Sequence, residues 1–244
     1  MRIGVIGTGT IASAVVRGIA VDDGHQITVS ERSAAHAAAL SAEFGNVAVA
    51  RNQTVLDQSD VVFLGLMADA APSVLDGLNF RVDHRVITLM AGATLDEVQK
   101  LVAPSVAAAI MMPFPGIARG GSPIMMQGDG ALVREIFGAR NSVFELANAE
   151  EMAAYLCAQA VLSPVARMVE DAANWLGERV SDRDQGERFL RLLVASSLEA
   201  SACAPLIEAL NTPGGYNQRL RLHMENSDMG KTLSDGLDRL ENGS

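Results

Sequence analysis

Residues 2–12 read "RIGVIGTGTIA", and the parsing of this stretch decides the fold. Arg2–Ile6 is a short apolar run rich in Ile and Val, the composition of a buried strand. It passes at once into Gly7-Thr8-Gly9-Thr10-Ile11-Ala12, a G-x-G-x-x-A pattern, and then into "TIASAVVRGIAV", a helix-forming stretch. Each small residue has a mechanical role. Gly7 permits a tight turn, Gly9 lets a pyrophosphate approach the backbone, and Ala12 allows the helix to pack closely on the strand. The second apolar run, "QITVS", is followed by Glu31-Arg32-Ser33 about twenty residues on, where a dinucleotide fold reads the adenosine ribose. Glu31 suits a ribose 2′-hydroxyl, whereas Arg32 and Ser33 suit a 2′-phosphate. The pair favours NADP(H), with NAD(H) the alternative.

Outward from this motif, apolar runs alternate with amphipathic stretches: "NVAVA", "VVFLG", "VITLM", "AAAIMM", "PIMMQ" and "SVFEL" are strand-like. Between them "SAAHAAALSAEF", "DAAPSVLDGL" and "TLDEVQKLV" are helical, and Thr94 with Glu97 forms a capping box. Such alternation predicts an α/β protein with a doubly wound, Rossmann-type sheet. Strand signals cease near Ala147, and 149–244 reads as helix throughout. The expected organisation is therefore a nucleotide-binding domain over 1–147 and an all-helical domain over 148–244. Residues 189–210 leave no continuous polar stripe, and fewer than 100 helical residues can hardly bury such a segment alone. A second subunit is its expected cover, giving a homodimer or a larger homo-oligomer.

Composition narrows the function. The 244 residues are 49% hydrophobic and carry a net charge of −10, distributed as −4 over 1–147 and −6 over 148–244. No basic run exists, which argues against nucleic acid or an anionic membrane surface as a partner. The chain is expected to be soluble and cytoplasmic, with no segment apolar enough to span a bilayer and no export signal ahead of the first strand. Cys157 and Cys203 lie in apolar helical stretches and are expected to be reduced core thiols. His25, His36, His84 and His223 are scattered without ligand spacing, so no metal site is expected.

One further break stands out. "NTPGGYN" at 211–217 interrupts two helical stretches with a Pro-Gly-Gly turn. A helix opening there presents unpaired backbone N–H groups, which suit an anion; a plain helix connector is the alternative.

Together these pieces resemble pyrroline-5-carboxylate reductase over most of the chain. "GVIGTGTIASAVVRGI" is similar to the opening motif of that family and "VITLMAGATLDEVQKLV" to its Ala-Gly strand and helix. "MMPFPGIARGG" resembles its Met-Pro loop, and "NTPGGYNQRLRLHMENSDMGKTLSDGLDRL" its Pro-Gly-Gly helix. The resemblance implies a Rossmann domain with a helical dimerisation domain, and reduction of a cyclic imine by NADP(H) or NAD(H). It adds Leu66, Met67, Ala91, Gly92 and Pro113 to Gly7–Ala12 (Gly7, Thr8, Gly9, Thr10, Ile11, Ala12) and Glu31–Ser33 on the cofactor side. It also implies that N–H groups around Gly214 and Gly215, with the Thr212 hydroxyl, hold a substrate carboxylate while Tyr216 or Asn217 serves the ring nitrogen. The chain departs from the family where Leu66-Met67-Ala68 replaces Val-Lys-Pro and where Met112-Pro113-Phe114-Pro115 is one residue short.

Two other readings belong beside this one. An imine reductase of uncarboxylated substrates wants an acid on the long helix, and Asp171 is its candidate, against a solvated acidic face. A non-catalytic NAD(P)-binding module accounts for the altered motifs but not for the retained Thr-Pro-Gly-Gly. A hydroxyacid dehydrogenase wants a lysine early in the second domain, whereas the lysines are Lys100 and Lys231.

Overall fold

The computed structural model describes residues 1–243. They divide into two compact units, Met1–Met152 and Ala153 onward.

The first unit is built on one eight-stranded sheet. Its strands are β1 (Arg2–Ile6), β2 (Gln26–Ser30), β3 (Val47–Ala50), β4 (Val61–Leu64), β5 (Arg85–Thr88), β6 (Val106–Pro113), β7 (Pro123–Gly128) and β8 (Ser142–Glu145). Their spatial order is β3-β2-β1-β4-β5-β6-β7-β8, parallel except where β7 runs antiparallel to β6. The chain thus winds outward in one direction from β1 to β3 and then returns to place β4 on the other side of β1. Register between β1 and β4 runs from Ile3 opposite Val61 to Ile6 opposite Leu64.

Helices α1 (Thr10–Ala20), α2 (Ala34–Glu43), α3 (Asn52–Asp57), α4 (Ala71–Leu75), α5 (Leu95–Val102) and α6 (Gly130–Phe137) cover the sheet. The two-residue period of the strands sorts the core into two layers. Val61 and Phe63 join Val15, Ile19 and Leu40 of α1 and α2, while Val62 and Leu64 join Val55, Leu75 and Val98 of α3, α4 and α5. This two-sided burial explains why the strands read as unbroken apolar runs rather than alternating ones. The capping box at α5 is present: Glu97 N donates to Thr94 Oγ1, and Thr94 N donates to Glu97 Oε2 at 2.8 Å.

The second unit is helical: α7 (Ala149–Ala158) leads into it, followed by α8 (Leu162–Gly177), α9 (Arg183–Ala200), α10 (Cys203–Ala209), α11 (Tyr216–Glu225) and α12 (Met229–Glu241). Helices α8 and α9 pack together at Gly186, where a Cβ would stand 3.0 Å from Leu176 Cδ2.

Three expectations are corrected here. The apolar stretch 189–210 is not one helix: it breaks between α9 and α10 with a bend of 118°. Ser201 and Ala202 are extended there, and Pro205, which has no N–H to give the Ser201 carbonyl, cannot continue α9. The run Ala149–Gly177 is long and apolar enough by composition to cross a membrane, contrary to the reading of short segments. Its first turn is instead part of the sheet-containing unit, where Met152 is buried. The two cysteines are unpaired, but Cys203 is exposed and Cys157 only half-buried, because the second unit has little interior to hold them.

Candidate dinucleotide and anion sites

The turn between β1 and α1 is shaped by close backbone approach. Gly7 has φ +90°, and a Cβ there would lie 2.4 Å from Gly65 O. Gly65, directly after β4, is equally constrained: its Cβ would lie 2.5 Å from Gly7 O and 2.6 Å from the Cβ of Ala12. Two glycines facing each other across adjacent strands thus let α1 begin tight against the sheet. Gly7 N donates to Ser30 Oγ at 2.8 Å, tying the turn to the end of β2. Gly9 is the N-cap residue of α1, and a Cβ on it would meet nothing within 4 Å.

The same end of the sheet collects the other predicted cofactor residues. Glu31–Ser33 follow β2, Leu66 and Met67 follow β4, Ala91 and Gly92 follow β5, and Pro113 closes β6. All lie beyond the carboxyl ends of parallel strands, and β1 with β4 forms the point where strand order reverses, the usual crevice for a nucleotide. The first turn of α1 has no acidic residue, so its amides and dipole face the crevice uncompensated. Thr8 Oγ1 is the one buried side-chain polar atom without a partner among the described residues. The open space at Gly9 and the unengaged first amides of α1 fit a bound pyrophosphate, which supplies acceptors to the turn. The side chains of Glu31 and Arg32 are exposed and engage no partner among the described residues, so both remain available to a ribose.

Ser30, His36 and Gly65 escape a reading of the sequence. Only Gly65 leaves a signal there, a glycine directly after a strand-like run; the others owe their place to contacts between elements.

In the second unit, Thr212 and Pro213 enter a turn in which Gly214 has φ +73° and Gly215 N donates to Thr212 O at 2.9 Å. Gly214 N donates to Gln218 Oε1 at 2.8 Å, and Gln218 Nε2 donates to Asn211 Oδ1 at 3.1 Å. The amides of Gly214 and Gly215 are therefore engaged within the loop, which differs from the expectation that they face a substrate. The groups left open are the amides of Tyr216, Asn217 and Gln218 in the first turn of α11, because the helical bonds begin with Arg219 N donating to Gly215 O. That turn also lacks acidic residues. Tyr216 is 90% exposed. Asp171 is held by Arg167 Nε at 3.0 Å on the exposed face of α8, and this ion pair raises the Arg167 pKa.

Ionisable groups with shifted pKa values lie elsewhere. His84 is fully buried directly before β5, its pKa lowered by desolvation and then by the Arg81 charge. Asp129 is lowered first by the Leu132 amide and also by Arg85. No group of three or more His, Cys, Asp and Glu is arranged to hold a metal among the described residues.

Residues 2–92 match the family model described as NADP oxidoreductase coenzyme F420-dependent. No curated protein matches the sequence. Among solved structures, 1-pyrroline-5-carboxylate reductase from the human pathogen Streptococcus pyogenes is similar with a TM-score of 0.82 and 23% identity, covering 100% of this chain and 97% of that one. A pyrroline-5-carboxylate reductase from Coxiella burnetii aligns with a TM-score of 0.83 and 17% identity, over 98% and 96% of the two chains. A reductive aminase from Aspergillus terreus aligns with a TM-score of 0.61 and 18% identity, over 99% and 91%. At these identities the likeness establishes a shared fold.

Proposed function

We propose that the chain is an NAD(P)H-dependent oxidoreductase that reduces the C=N bond of a carboxylated cyclic imine such as 1-pyrroline-5-carboxylate. The observation that carries the substrate half is the Thr212-Pro213-Gly214-Gly215 turn, which opens α11 onto three unengaged amides with no acidic residue in the first turn. The cofactor half rests on the Gly7–Ala12 turn at the β1/β4 crevice and on the family model matched by residues 2–92. The fold shared with pyrroline-5-carboxylate reductases supports the pairing of the two.

Bound at the crevice, a reduced nicotinamide supplies a hydride to the imine carbon. The chain's own task is orientation. Gly9 and the first amides of α1 hold the pyrophosphate, while Arg32 and Ser33 hold a 2′-phosphate or Glu31 a 2′-hydroxyl. Thr212 and the amides of Tyr216 and Asn217 fix the substrate carboxylate, and the Asn217 side chain orients the ring nitrogen as it takes a proton. A protonated imine is already a good hydride acceptor, so no side chain with a strongly shifted pKa is needed.

In this reading residues 1–147 bind the dinucleotide and 148–244 bind substrate and dimerise. The dimer is supported by the apolar surface of the second unit, including Phe189 and Leu192 on α9. A groove of about 870 Å³ in the same unit, lined by Val161, Pro164, Met168, Met224, Leu233 and Leu237, adds a further apolar surface that a partner would cover. Unpaired cysteines suit the reducing cytoplasm.

The test is a panel of cyclic imines, with and without a carboxylate, assayed for oxidation of NADPH and NADH. Turnover confined to carboxylated imines supports the reading. Equal turnover of uncarboxylated ones favours the imine-reductase alternative, and cofactor binding without turnover of any imine favours the non-catalytic module.

A further inference from the structure

The turn that opens α1 is gripped from the ribose side of the crevice. His36, in the first turn of α2, places Nδ1 2.7 Å from Thr8 O. A carbonyl oxygen only accepts, so Nδ1 carries the proton and donates. The same carbonyl accepts from Ser13 Oγ at 3.3 Å. Thr8 O is therefore held from α1 by Ser13 and from α2 by His36, and the amide of the preceding residue, Gly7, is held by Ser30 of β2.

These grips act on a group that none of them touches. The Thr8–Gly9 peptide is trans, since the one cis bond among the described residues is Ala103–Pro104. In a planar trans peptide the carbonyl and the amide N–H point in opposite directions, so a bond that fixes Thr8 O also fixes the aim of Gly9 N–H. That N–H has no partner among the described residues, and the Cα of Gly9 faces space empty enough to accept a Cβ with no contact within 4 Å. The residue that supplies this carbonyl, Thr8, also carries the unpartnered, fully buried hydroxyl.

We propose that His36 is a positioning residue of the dinucleotide site: by holding the Thr8 carbonyl it presets the Gly9 amide as a donor to the cofactor pyrophosphate. The inference rests on the dinucleotide reading above and adds to it a residue and a route. A preset donor needs no reorganisation when the anion arrives, whereas a turn free to rotate must be ordered by the ligand. Because the effect travels through the phosphate turn, His36 acts alike on NADH and NADPH, although it lies next to the residues that tell them apart.

The experiment is calorimetric titration of purified wild type, His36→Ala, His36→Gln and His36→Met with NADH and with NADPH, in the absence of substrate. Loss of one oriented hydrogen bond should weaken both cofactors in His36→Ala by a similar factor, roughly tenfold. Gln carries an N–H that can reach Thr8 O, and Met has nearly the same length without a donor. His36→Gln should therefore bind like the wild type and His36→Met like His36→Ala, and this pair carries the comparison should His36→Ala not fold. The Gly9 amide resonance of the cofactor-free protein should move in His36→Met and stay in His36→Gln, which a merely structural role would not produce. Loss of NADPH affinity alone would overturn the proposal in favour of direct contact with the 2′-phosphate, and unchanged affinity for both would overturn it outright. A wild type that binds neither nucleotide would remove the dinucleotide reading itself, an outcome distinct from equal binding by wild type and variants.

Discussion

Phe63 on β4 and Leu192 on α9 are both large apolar residues, yet Phe63 is wholly buried and Leu192 is 67% exposed. The contrast extends to the two units. The first encloses two apolar layers, one on each face of its sheet. The second buries only Ala173 and Gly186 among its described residues, while Leu162, Trp175, Phe189, Leu193 and Leu220 face outward. A sheet with helices on both faces closes its own core, whereas a few helices of similar apolar content leave their faces open until another surface arrives. One unit thus closes an apolar core of its own, and the other leaves its apolar side chains at the surface, which is what the proposed dimer would cover.

The largest effect that sharpens this contrast lies in the first unit. Gly9→Val should abolish cofactor binding in calorimetry while the melting temperature stays near that of the wild type, because its side chain enters empty space. Gly7→Ala should instead lower the melting temperature as well, with φ +90° and a Cβ 2.4 Å from Gly65 O costing on the order of 1–3 kcal/mol of folding stability. If Gly9→Val binds NADPH and NADH as tightly as the wild type, the turn is not a phosphate site.

In the second unit, Leu192→Glu should convert a sedimenting dimer into monomer at micromolar concentration. A charge left in an apolar interface without a partner costs several kcal/mol, more than most surface changes. Were the face of α9 simply solvated, the substitution would change nothing, and the comparison between the units would break.

Thr212→Ala should raise KM for a carboxylated imine roughly ten- to a hundredfold, the equivalent of about 1.5–3 kcal/mol for a hydrogen bond to a charged group. Its cofactor affinity and its kinetics on uncarboxylated imines should be unchanged. Asn217→Ala should lower kcat as well, since its proposed contact is to the nitrogen that gains the proton. Wild-type kinetics in both variants would return the loop to the role of a connector.

The smallest effect concerns His84. Arg81 N donates to its Nδ1 at 3.0 Å, and its Nε2 donates to Leu56 O at 3.0 Å, so the neutral ring satisfies both nitrogens and an added proton has no acceptor. Its folded pKa is lowered from 6.5. The unfolded chain therefore binds the proton more readily, and the stability contributed by the neutral ring is present above about pH 6.5 and declines as pH falls below it. Unfolding free energies from denaturant titrations at pH 7.5 and 5.5 should differ less in His84→Gln than in the wild type. An equal separation would show that other groups govern the acid side.

Much of this architecture is legible in the chain itself. All eight strands coincide with apolar runs; the interior ones do so because strands buried on both faces need Ile, Val, Leu and Met, whereas the edge strands β3 and β8 are largely exposed. The G-x-G-x-x-A turn and the Thr94–Glu97 box are local, each determined by a few adjacent residues, and both have the geometry their sequences require. The break at Ser201–Ala202 left a single local signal, Pro205, which cannot donate to the Ser201 carbonyl, while the apolar content that suggested one helix continues across it.

What the sequence by itself determined is the winding of strands and helices and the position of the nucleotide turn within it, because periodicity and small residues act over a few positions of chain. Only the tertiary structure decided that Gly7 faces Gly65, that Ser30 and His36 hold the turn from β2 and α2, and that Gln218 engages the amide of Gly214 within its own loop. In the first three cases the partners are separated by tens of residues and meet through strand order, while Gln218 lies nearby in sequence but could as readily have pointed to solvent. Hydrogen bonds and van der Waals contacts depend on distances in space, and those distances arise when the sheet and helices assemble.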